Sequence, residues 1–282
     1  MKSSKKSKKT KKLKYIIQKV NKTFEEFDKK KFKRSLEAAG VSEKASQEIV
    51  KEIAEELDPF STSTAIHQKT YRALKRRSKL DAANYNIKRA IYKLGPTGYP
   101  FEILCAEMLR AKGYKTQVSV VKKGKFVKHE VDVVASRADG DIYCECKFHN
   151  RKYYKNDVKI PLYVYARYLD IKEANPHLNF QYALISNTQF SEDAIKYAKG
   201  VDLMLFSMNY PKKNTFCDLI QRYRIYPITV LSTLRAREKK RLLDKGIVVI
   251  KHVNRACLKA LDLSDSEVRK VLNEIKVLMS KS

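Results

Sequence analysis

Glycine and proline are scarce in this chain of 282 residues, which contains only eight glycines and seven prolines. Contents this low argue against a fibrous repeat or a wholly disordered polymer. Cysteine is also scarce. The five cysteines are odd in number, and no two of them have the Cys-x-x-Cys spacing. That pattern argues against a disulfide scaffold and against a zinc site. The sequence therefore predicts packed domains with reduced thiols in a cytoplasmic protein.

Long apolar segments are missing as well. No run of about 18 apolar residues is present, which is the length that a membrane-spanning helix needs. The basic start of the chain is not followed by a continuous apolar stretch, so no secretory signal is recognised. We therefore expect no membrane partner.

Acidic residues are outnumbered almost two to one. The chain has 31 Asp and Glu against 60 Lys and Arg, which gives a formal net charge of +29. Such an excess attracts polyanions and favours a nucleic acid over an anionic membrane surface. Residues 1–14 carry eight lysines and no acid. This segment cannot bury a core and is expected to be a disordered basic tail.

The rest of the chain is predicted to form three regions. Residues 15–94 have the pattern of a strand hairpin followed by helices. The run Gly95-Pro96-Thr97-Gly98-Tyr99-Pro100 marks a boundary. Residues 95–225 follow the order αβββαβαβ, which predicts an α/β (α+β) fold with a mixed sheet flanked by helices. Residues 226–282 are predicted to form a small helical element.

Two predicted strands carry a pattern of acidic and basic residues. Strand side chains alternate between faces, so Glu145 and Lys147 lie on one face while the flanking cysteines lie on the other. If residues 130–134 pair with residues 142–147, Asp132 lies beside Glu145. Two converging carboxylates need compensation, and their oxygens suit Mg²⁺ or Mn²⁺. A surface hairpin with an ordinary ion pair is the alternative interpretation.

The residues around this pattern resemble the Mrr-type restriction endonuclease domain of the PD-(D/E)xK superfamily. The resemblance is carried, in order, by Phe101-Glu102 with Gly113-Tyr114, His129-Glu130-Val131-Asp132-Val133, Cys144-Glu145-Cys146-Lys147, and Asn187 to Ala194 with Ala198. It implies a restriction-endonuclease-like fold and a metal-dependent DNA endonuclease of the restriction or defence type. It implies Asp132 and Glu145 as ligands of Mg²⁺ or Mn²⁺, Lys147 as the catalytic lysine, and Glu102 as a further carboxylate of the catalytic site on the first helix.

Two histidines near the pattern are open to more than one interpretation. His129 either contacts phosphate or water, or is an exposed strand histidine, and His149 has weaker grounds for a role.

A single site per chain that cuts both strands would favour a homodimer.

Residues 15–94 resemble a second family, the ATP-cone, whose members bind adenine nucleotides. The resemblance is carried by Gln18-Lys19-Val20, by Glu26-Phe27-Asp28-Lys29-Lys30-Lys31-Phe32 with Leu36 and Gly40, and by Tyr85 to Ile91 before Leu94-Gly95-Pro96. It implies a mostly helical domain that binds ATP as a regulatory ligand through Lys19 and Lys31. Lysines near a hairpin and a helix start can hold a triphosphate. Ordinary surface charge is the alternative for both lysines.

The C-terminal residues 242–247 and 261–264 resemble a helix-hairpin-helix DNA-binding element, in which backbone amides contact phosphate. A small helical cap on the nuclease domain is the alternative.

Three functions follow for the whole chain. It is a magnesium-dependent DNA endonuclease regulated by ATP, a nucleic-acid-binding protein that retains a nuclease fold, or a nucleotide-sensing regulator.

Overall fold

The computed structural model describes residues 16–19, 22–58, 60–151 and 153–280. The predicted basic tail, residues 1–14, lies outside these residues. The chain divides into two compact units, the first ending at Tyr85 and the second beginning at Asn86. None of the helices in the described part of the chain combines the length and the apolar character that a bilayer crossing requires.

The first unit consists of a short antiparallel hairpin followed by helices. Its elements are β1 (Ile16–Gln18), β2 (Phe24–Glu26), α1 (Lys29–Glu37), α2 (Glu43–Glu55), α3 (Ser63–Arg77) and α4 (Lys79–Tyr92), and α4 continues past the division. Side-chain oxygens of Asp28, Ser42 and Thr62 accept hydrogen bonds from the first turns of α1, α2 and α3. These caps satisfy amides that have no partner inside the helix. The predicted hairpin and helices are therefore present.

The second unit is built on a mixed sheet. Its elements are α5 (Tyr99–Ala111), β3 (Lys115–Lys123), β4 (Lys128–Arg137), β5 (Gly140–Lys147), β6 (Lys155–Asn156), α6 (Lys159–Ala174), β7 (Phe180–Ser186), β8 (Gln189–Phe190), α7 (Glu192–Gly200), β9 (Met204–Phe206), α8 (Phe216–Tyr223), α9 (Ala236–Asp244), α10 (Arg255–Lys259) and α11 (Asp265–Met279). The main sheet has five strands in the order β3-β4-β5-β7-β9. Strands β3, β4 and β5 pair antiparallel, whereas β5, β7 and β9 pair parallel.

Helices cover both faces of this sheet. On one face, α6 and α7 bury Val164 and Ala194 in a core shared with β5 and β7. On the other face, Cys105 of α5 contacts Cys146 of β5, and both thiols are buried. The predicted mixed sheet flanked by helices is confirmed.

The sequence does not predict every feature of the second unit. Strand β4 begins at Lys128, because residues 124–127 form a tight turn in which the Gly124 amide donates to the Val127 carbonyl at 2.8 Å. Helix α8 and the short parallel pair of β6 with β8 were not predicted. The start of α8 is a Thr215–Asp218 capping box, a signal that was readable in the sequence.

The C-terminal helices pack onto the rest of the second unit through specific polar contacts. The Thr229 hydroxyl donates to the Ala90 carbonyl at 2.7 Å. The Lys251 ammonium lies 2.5 Å from the buried carboxylate of Glu107 on α5. These contacts fix the C-terminal element against the helices that flank the sheet.

Candidate active site

The centre of the candidate site is the point where β4 and β5 separate. The paired register of the two strands ends with Val133 opposite Cys144. One further residue along each strand brings Asp132 opposite Glu145. There the Asp132 carboxylate accepts a hydrogen bond of 2.6 Å from the Cys146 amide. The strand pairing predicted from the sequence is confirmed, and it sets the two carboxylates side by side.

Glu145 is only 2% exposed, and charged or polar neighbours surround its carboxylate. Its Oε1 accepts from the Tyr163 hydroxyl at 2.9 Å and lies 2.5 Å from the Lys147 ammonium. Its Oε2 accepts from the Arg167 guanidinium at 2.6 Å. A carboxylate buried this deeply requires compensating partners, and here two cations and a phenol provide them.

Tyr163 and Arg167 were missed as site residues. They lie four residues apart on α6, so both side chains point from one face of the helix toward the sheet. The Arg167 guanidinium also donates to the Glu130 carbonyl, which ties α6 to β4 as well as to β5. Their spacing was visible in the sequence, but nothing in it indicated which strand this face meets.

Burial and mutual repulsion perturb the acids of the site. Burial, followed by the Glu145 carboxylate, raises the pKa of Asp132 to about 6, although the Cys146 amide acts in the opposite direction. Burial also raises the pKa of Glu102 on α5 to about 7, and the carboxylates of Asp132, Glu130 and Glu145 add to this effect. Both carboxyl groups are therefore more readily protonated than carboxyl groups in water.

For Lys147, burial and the neighbouring negative charge change the pKa in opposite directions. Burial by itself lowers the pKa of Lys147, but the adjacent Glu145 carboxylate outweighs burial and raises that pKa above its ordinary value. Lys147 stays an ammonium at neutral pH, and its side chain is still partly exposed. All four residues predicted for the catalytic site, Glu102, Asp132, Glu145 and Lys147, thus act on one another electrostatically.

The donor set fits a hard divalent cation. Mg²⁺ is commonly held by one or two carboxylates and completes its shell with waters and substrate phosphate. Asp132 and Glu145 supply such a pair of carboxylates. Among the described residues, no group of three or more His, Cys, Asp or Glu side chains could hold a metal ion. Asp132 and Glu145 could therefore supply only part of the ligand shell of such a cation.

The two histidines lie in different environments. His129 is not an exposed strand histidine, because its side chain is mostly buried and its Nε2 lies 2.6 Å from Oδ2 of Asp170 on α6. His149 follows Lys147 closely, and its Nε2 lies 2.9 Å from Oδ1 of the buried Asn156. Burial lowers the pKa of His149, so its imidazole is neutral at physiological pH.

Lys19 and Lys31 lie in the first unit. The Lys19 ammonium is 2.5 Å from Oε2 of Glu25, and the Lys31 ammonium is 3.8 Å from the same oxygen. The structure thus brings together the two lysines that the ATP-cone resemblance singles out, around one carboxylate.

Comparisons with known proteins agree with this geometry. Residues 95–209 match the Mrr catalytic-domain family model, which is described as a restriction endonuclease. Residues 226–279 match a second family model, described as AF1548-like, C-terminal. The Mrr resemblance predicted from the sequence is therefore confirmed.

One similar protein and two solved structures add to these family matches. An uncharacterized protein of Archaeoglobus fulgidus is 37% identical over 179 residues, which cover 61% of this chain and 97% of that protein. The solved structure of a protein of unknown function, AF1548, is 32% identical with a TM-score of 0.54 and covers 64% of this chain and 98% of its own. A repair endonuclease from Pyrococcus abyssi is more remote, at 19% identity and a TM-score of 0.32 over 42% of this chain and 49% of its own.

Nearly the full length of the Archaeoglobus fulgidus protein is thus represented here at 37% identity. The chain therefore belongs to the family of that protein, and its residues 95–209 are a restriction endonuclease domain of the Mrr type.

Proposed function

We propose that this protein is a metal-dependent DNA endonuclease that hydrolyses phosphodiester bonds. One observation carries the proposal: Asp132, Glu145 and Lys147 converge where β4 and β5 separate, inside a domain that matches the restriction endonuclease family. The net charge of +29 supports DNA as the substrate, because a basic surface gains affinity by releasing counterions from the phosphates.

Each residue of the site has a distinct role in this proposal. Asp132 and Glu145 would hold Mg²⁺ or Mn²⁺, which supplies polarisation of the scissile phosphoryl oxygen and a more acidic bound water. The Lys147 ammonium stabilises the negative charge that develops on the phosphate. Glu102, with a pKa of about 7, is able to accept a proton from water near neutral pH.

Arg167 and Tyr163 position the carboxylate rather than contact the phosphate. Both donate hydrogen bonds to Glu145, one to each oxygen, and so fix the plane of the carboxylate beside Asp132. A carboxylate that is already held in one orientation does not need to be reordered when the metal ion and the substrate bind.

Cleavage of supercoiled plasmid tests the proposal. The wild-type protein is expected to nick the plasmid with Mg²⁺ or Mn²⁺ and to lose this activity when the metal is chelated. Asp132→Ala and Lys147→Ala should abolish nicking while both variants still bind the plasmid. A wild-type protein that binds DNA but cuts no plasmid under any of these conditions would favour the nucleic-acid-binding interpretation.

A second candidate function concerns the first unit. We propose that residues 15–94 form an ATP-cone-like domain that binds an adenine nucleotide and regulates the nuclease. The convergence of Lys19 and Lys31 on Glu25 supports this, because two ammonium groups at one point suit a phosphate chain. Titration with a fluorescent ATP analogue should show weaker binding for Lys19→Ala and Lys31→Ala. The control is Lys51→Ala, an exposed change on α2 that should leave binding unaltered.

A further inference from the structure

The turn between β3 and β4 presents apolar side chains to solvent. This turn, residues 124–127, is named the tip loop. Phe126 is 77% exposed and Val127 is 58% exposed. A large exposed aromatic side chain gains nothing from the hydrophobic effect in the free protein. Two adjacent exposed apolar side chains offer a surface that a partner could cover.

The tip loop is held firmly even though its side chains are exposed. Asp170 of α6 accepts hydrogen bonds from the Phe126 amide at 3.0 Å and from the Val127 amide at 3.4 Å. The Asp170 carbonyl accepts a further bond from the Lys125 amide at 3.0 Å. One residue of α6 therefore satisfies the loop backbone and fixes the position from which Phe126 projects.

Gly124 is required for this arrangement. A β-carbon at position 124 would lie 2.0 Å from the Asp170 carboxylate and 2.6 Å from the Val127 carbonyl oxygen. Both atoms belong to the contacts that hold the loop, so neither can move aside without releasing it. The sequence thus keeps a glycine where the loop and α6 come closest.

Three exposed lysines lie close to Phe126 in the sequence. Lys123, Lys125 and Lys128 are all exposed within six consecutive residues that also contain Phe126. The Lys125 ammonium lies 5.1 Å from the centre of the Phe126 ring and also pairs with Glu173. A polymer that combines phosphates with flat bases matches this mixture of positive charge and aromatic surface.

The tip loop is connected directly to the candidate active site. Strand β4 runs from the loop to Asp132. At about 3.3 Å per residue, the six residues from Phe126 to Asp132 span about 20 Å at most. DNA advances about 3.4 Å per base pair, so this distance corresponds to about six base pairs. A duplex that is bound at Asp132 and follows β4 would therefore reach the ring within about six base pairs of the cleaved bond.

We propose that the tip loop is a DNA wedge. Phe126 stacks on a base that is unpaired or displaced from the helix, and Lys123, Lys125 and Lys128 contact the phosphates on either side. Apolar side chains inserted between bases are a known means of recognising deformed DNA. The inference rests on the proposed endonuclease function and names its substrate class, which is duplex DNA containing an unstacked base within about six base pairs of the cleaved bond.

A second copy of this chain is the competing occupant of the tip loop. Two identical tip loops that meet across a twofold axis would bring their lysines together. Like charges facing each other at an interface disfavour that pairing. Charge complementarity therefore favours DNA.

Binding of the full chain to two DNA duplexes tests the wedge. The duplexes are identical except that one contains a single unpaired nucleotide, and binding is measured by fluorescence anisotropy with Ca²⁺ in place of Mg²⁺. The wild-type protein should bind the duplex with the unpaired nucleotide about tenfold more tightly, in line with one base stacked on an aromatic ring. Phe126→Ala should lose this preference and keep its affinity for the paired duplex. Phe126→Trp should retain the preference.

The matched control is Phe60→Ala, which removes a phenylalanine that is 63% exposed in the first unit. This variant should keep the tenfold preference. If Phe126→Ala binds both duplexes as the wild type does, the wedge is wrong. If that variant instead shifts the sedimentation of the protein from dimer to monomer without changing either DNA affinity, the tip loop is an interface between copies.

Cleavage of the same two duplexes with Mg²⁺ separates this inference from the proposed function. A wild-type protein that prefers the unpaired nucleotide but cuts neither duplex supports the wedge and contradicts the endonuclease. A protein that cuts both duplexes equally well, with or without Phe126, supports the endonuclease and overturns the wedge.

Discussion

At the scale of single residues, the candidate site depends on how one buried carboxylate is compensated. Glu145 lies between Lys147 on its own strand and the Tyr163–Arg167 pair on α6. Removing one partner of a buried ion pair leaves an uncompensated charge. The guanidinium of Arg167 is therefore expected to stabilise the fold as well as to orient the carboxylate.

Arg167→Ala should lower the free energy of unfolding of the second unit by about 3 kcal/mol, since Glu145 would keep its charge and lose a donor. In a Glu145→Gln background the same change should cost at least about 1 kcal/mol less, because the two residues are coupled. Urea denaturation of the four proteins measures this difference. Equal costs in both backgrounds would show that Arg167 stabilises the protein through contacts other than the one with Glu145, such as its hydrogen bond to the Glu130 carbonyl.

A second buried carboxylate gives a prediction about pH. Glu274 of α11 accepts hydrogen bonds from the amide and hydroxyl of Ser232 and from those of Thr233, at 2.6 to 2.9 Å. Burial alone would raise the pKa of Glu274, but these hydrogen bonds outweigh burial and lower it. A lowered pKa in the folded state stabilises the protein above the pKa of an unfolded glutamate, about 4.3, and this stabilisation is lost as the pH falls through the folded value.

Glu274→Gln should therefore reduce stability by about 2 kcal/mol at pH 7, because an amide can accept hydrogen bonds through only one of its two heavy atoms. The difference from the wild type should shrink below pH 4.3, where unfolded glutamate is protonated. The midpoints of urea denaturation of both proteins, measured from pH 7 to below pH 4.3, give this stability difference. Glu48→Gln, an exposed change on α2, is the control. A difference that is the same at every pH would show that the carboxylate's charge is not involved.

At the scale of secondary-structure elements, α6 connects two features of the second unit. Its Tyr163 and Arg167 face Glu145, and three residues later its Asp170 holds the tip loop. The face of α6 that buries Val164 and Ile171 sets the rotation of the helix. The rotation of α6 about its own axis therefore places Tyr163 and Arg167 at Glu145, and Asp170 at the tip loop.

Asp170→Ala should release the tip loop without unfolding the sheet, because the contacts it removes end at the loop backbone and at His129, near the start of β4. Native-state hydrogen exchange should show faster exchange at the Phe126 and Val127 amides and unchanged exchange in β5 and β7. The control is Glu173→Ala, which removes only the exposed pair with Lys125. Unchanged exchange at Phe126 in the Asp170 variant would mean that other contacts hold the loop.

How far the sequence predicted these elements depends on the kind of information each one needed. The alternation around Glu145 and Lys147 depends on local spacing, so the pairing of the two strands that carry Asp132 and Glu145 was predicted correctly. The partners Tyr163 and Arg167 depend on where α6 packs against the sheet. That packing is a long-range property, which no local pattern contains.

At the scale of the whole molecule, the excess of positive charge has a measurable consequence. The 60 basic residues stand against 31 acidic ones. If the lysines around the tip loop contact phosphates, DNA binding must release counterions and weaken as salt rises. The logarithm of the affinity should then fall linearly with the logarithm of the salt concentration, with a slope of about −0.9 for each phosphate contacted.

Lys128→Ala should make that slope shallower by about one, because it removes one phosphate contact beside the tip loop. Lys51→Ala, which removes an equal charge from α2, should leave the slope unchanged. Anisotropy titrations of a paired duplex over a series of salt concentrations measure both. If the two variants reduce the slope equally, the net charge of the protein governs binding and the lysines of the tip loop have no special part in it. If Lys128→Ala alone reduces it, the basic charge acts locally, at the turn that β4 connects to Asp132.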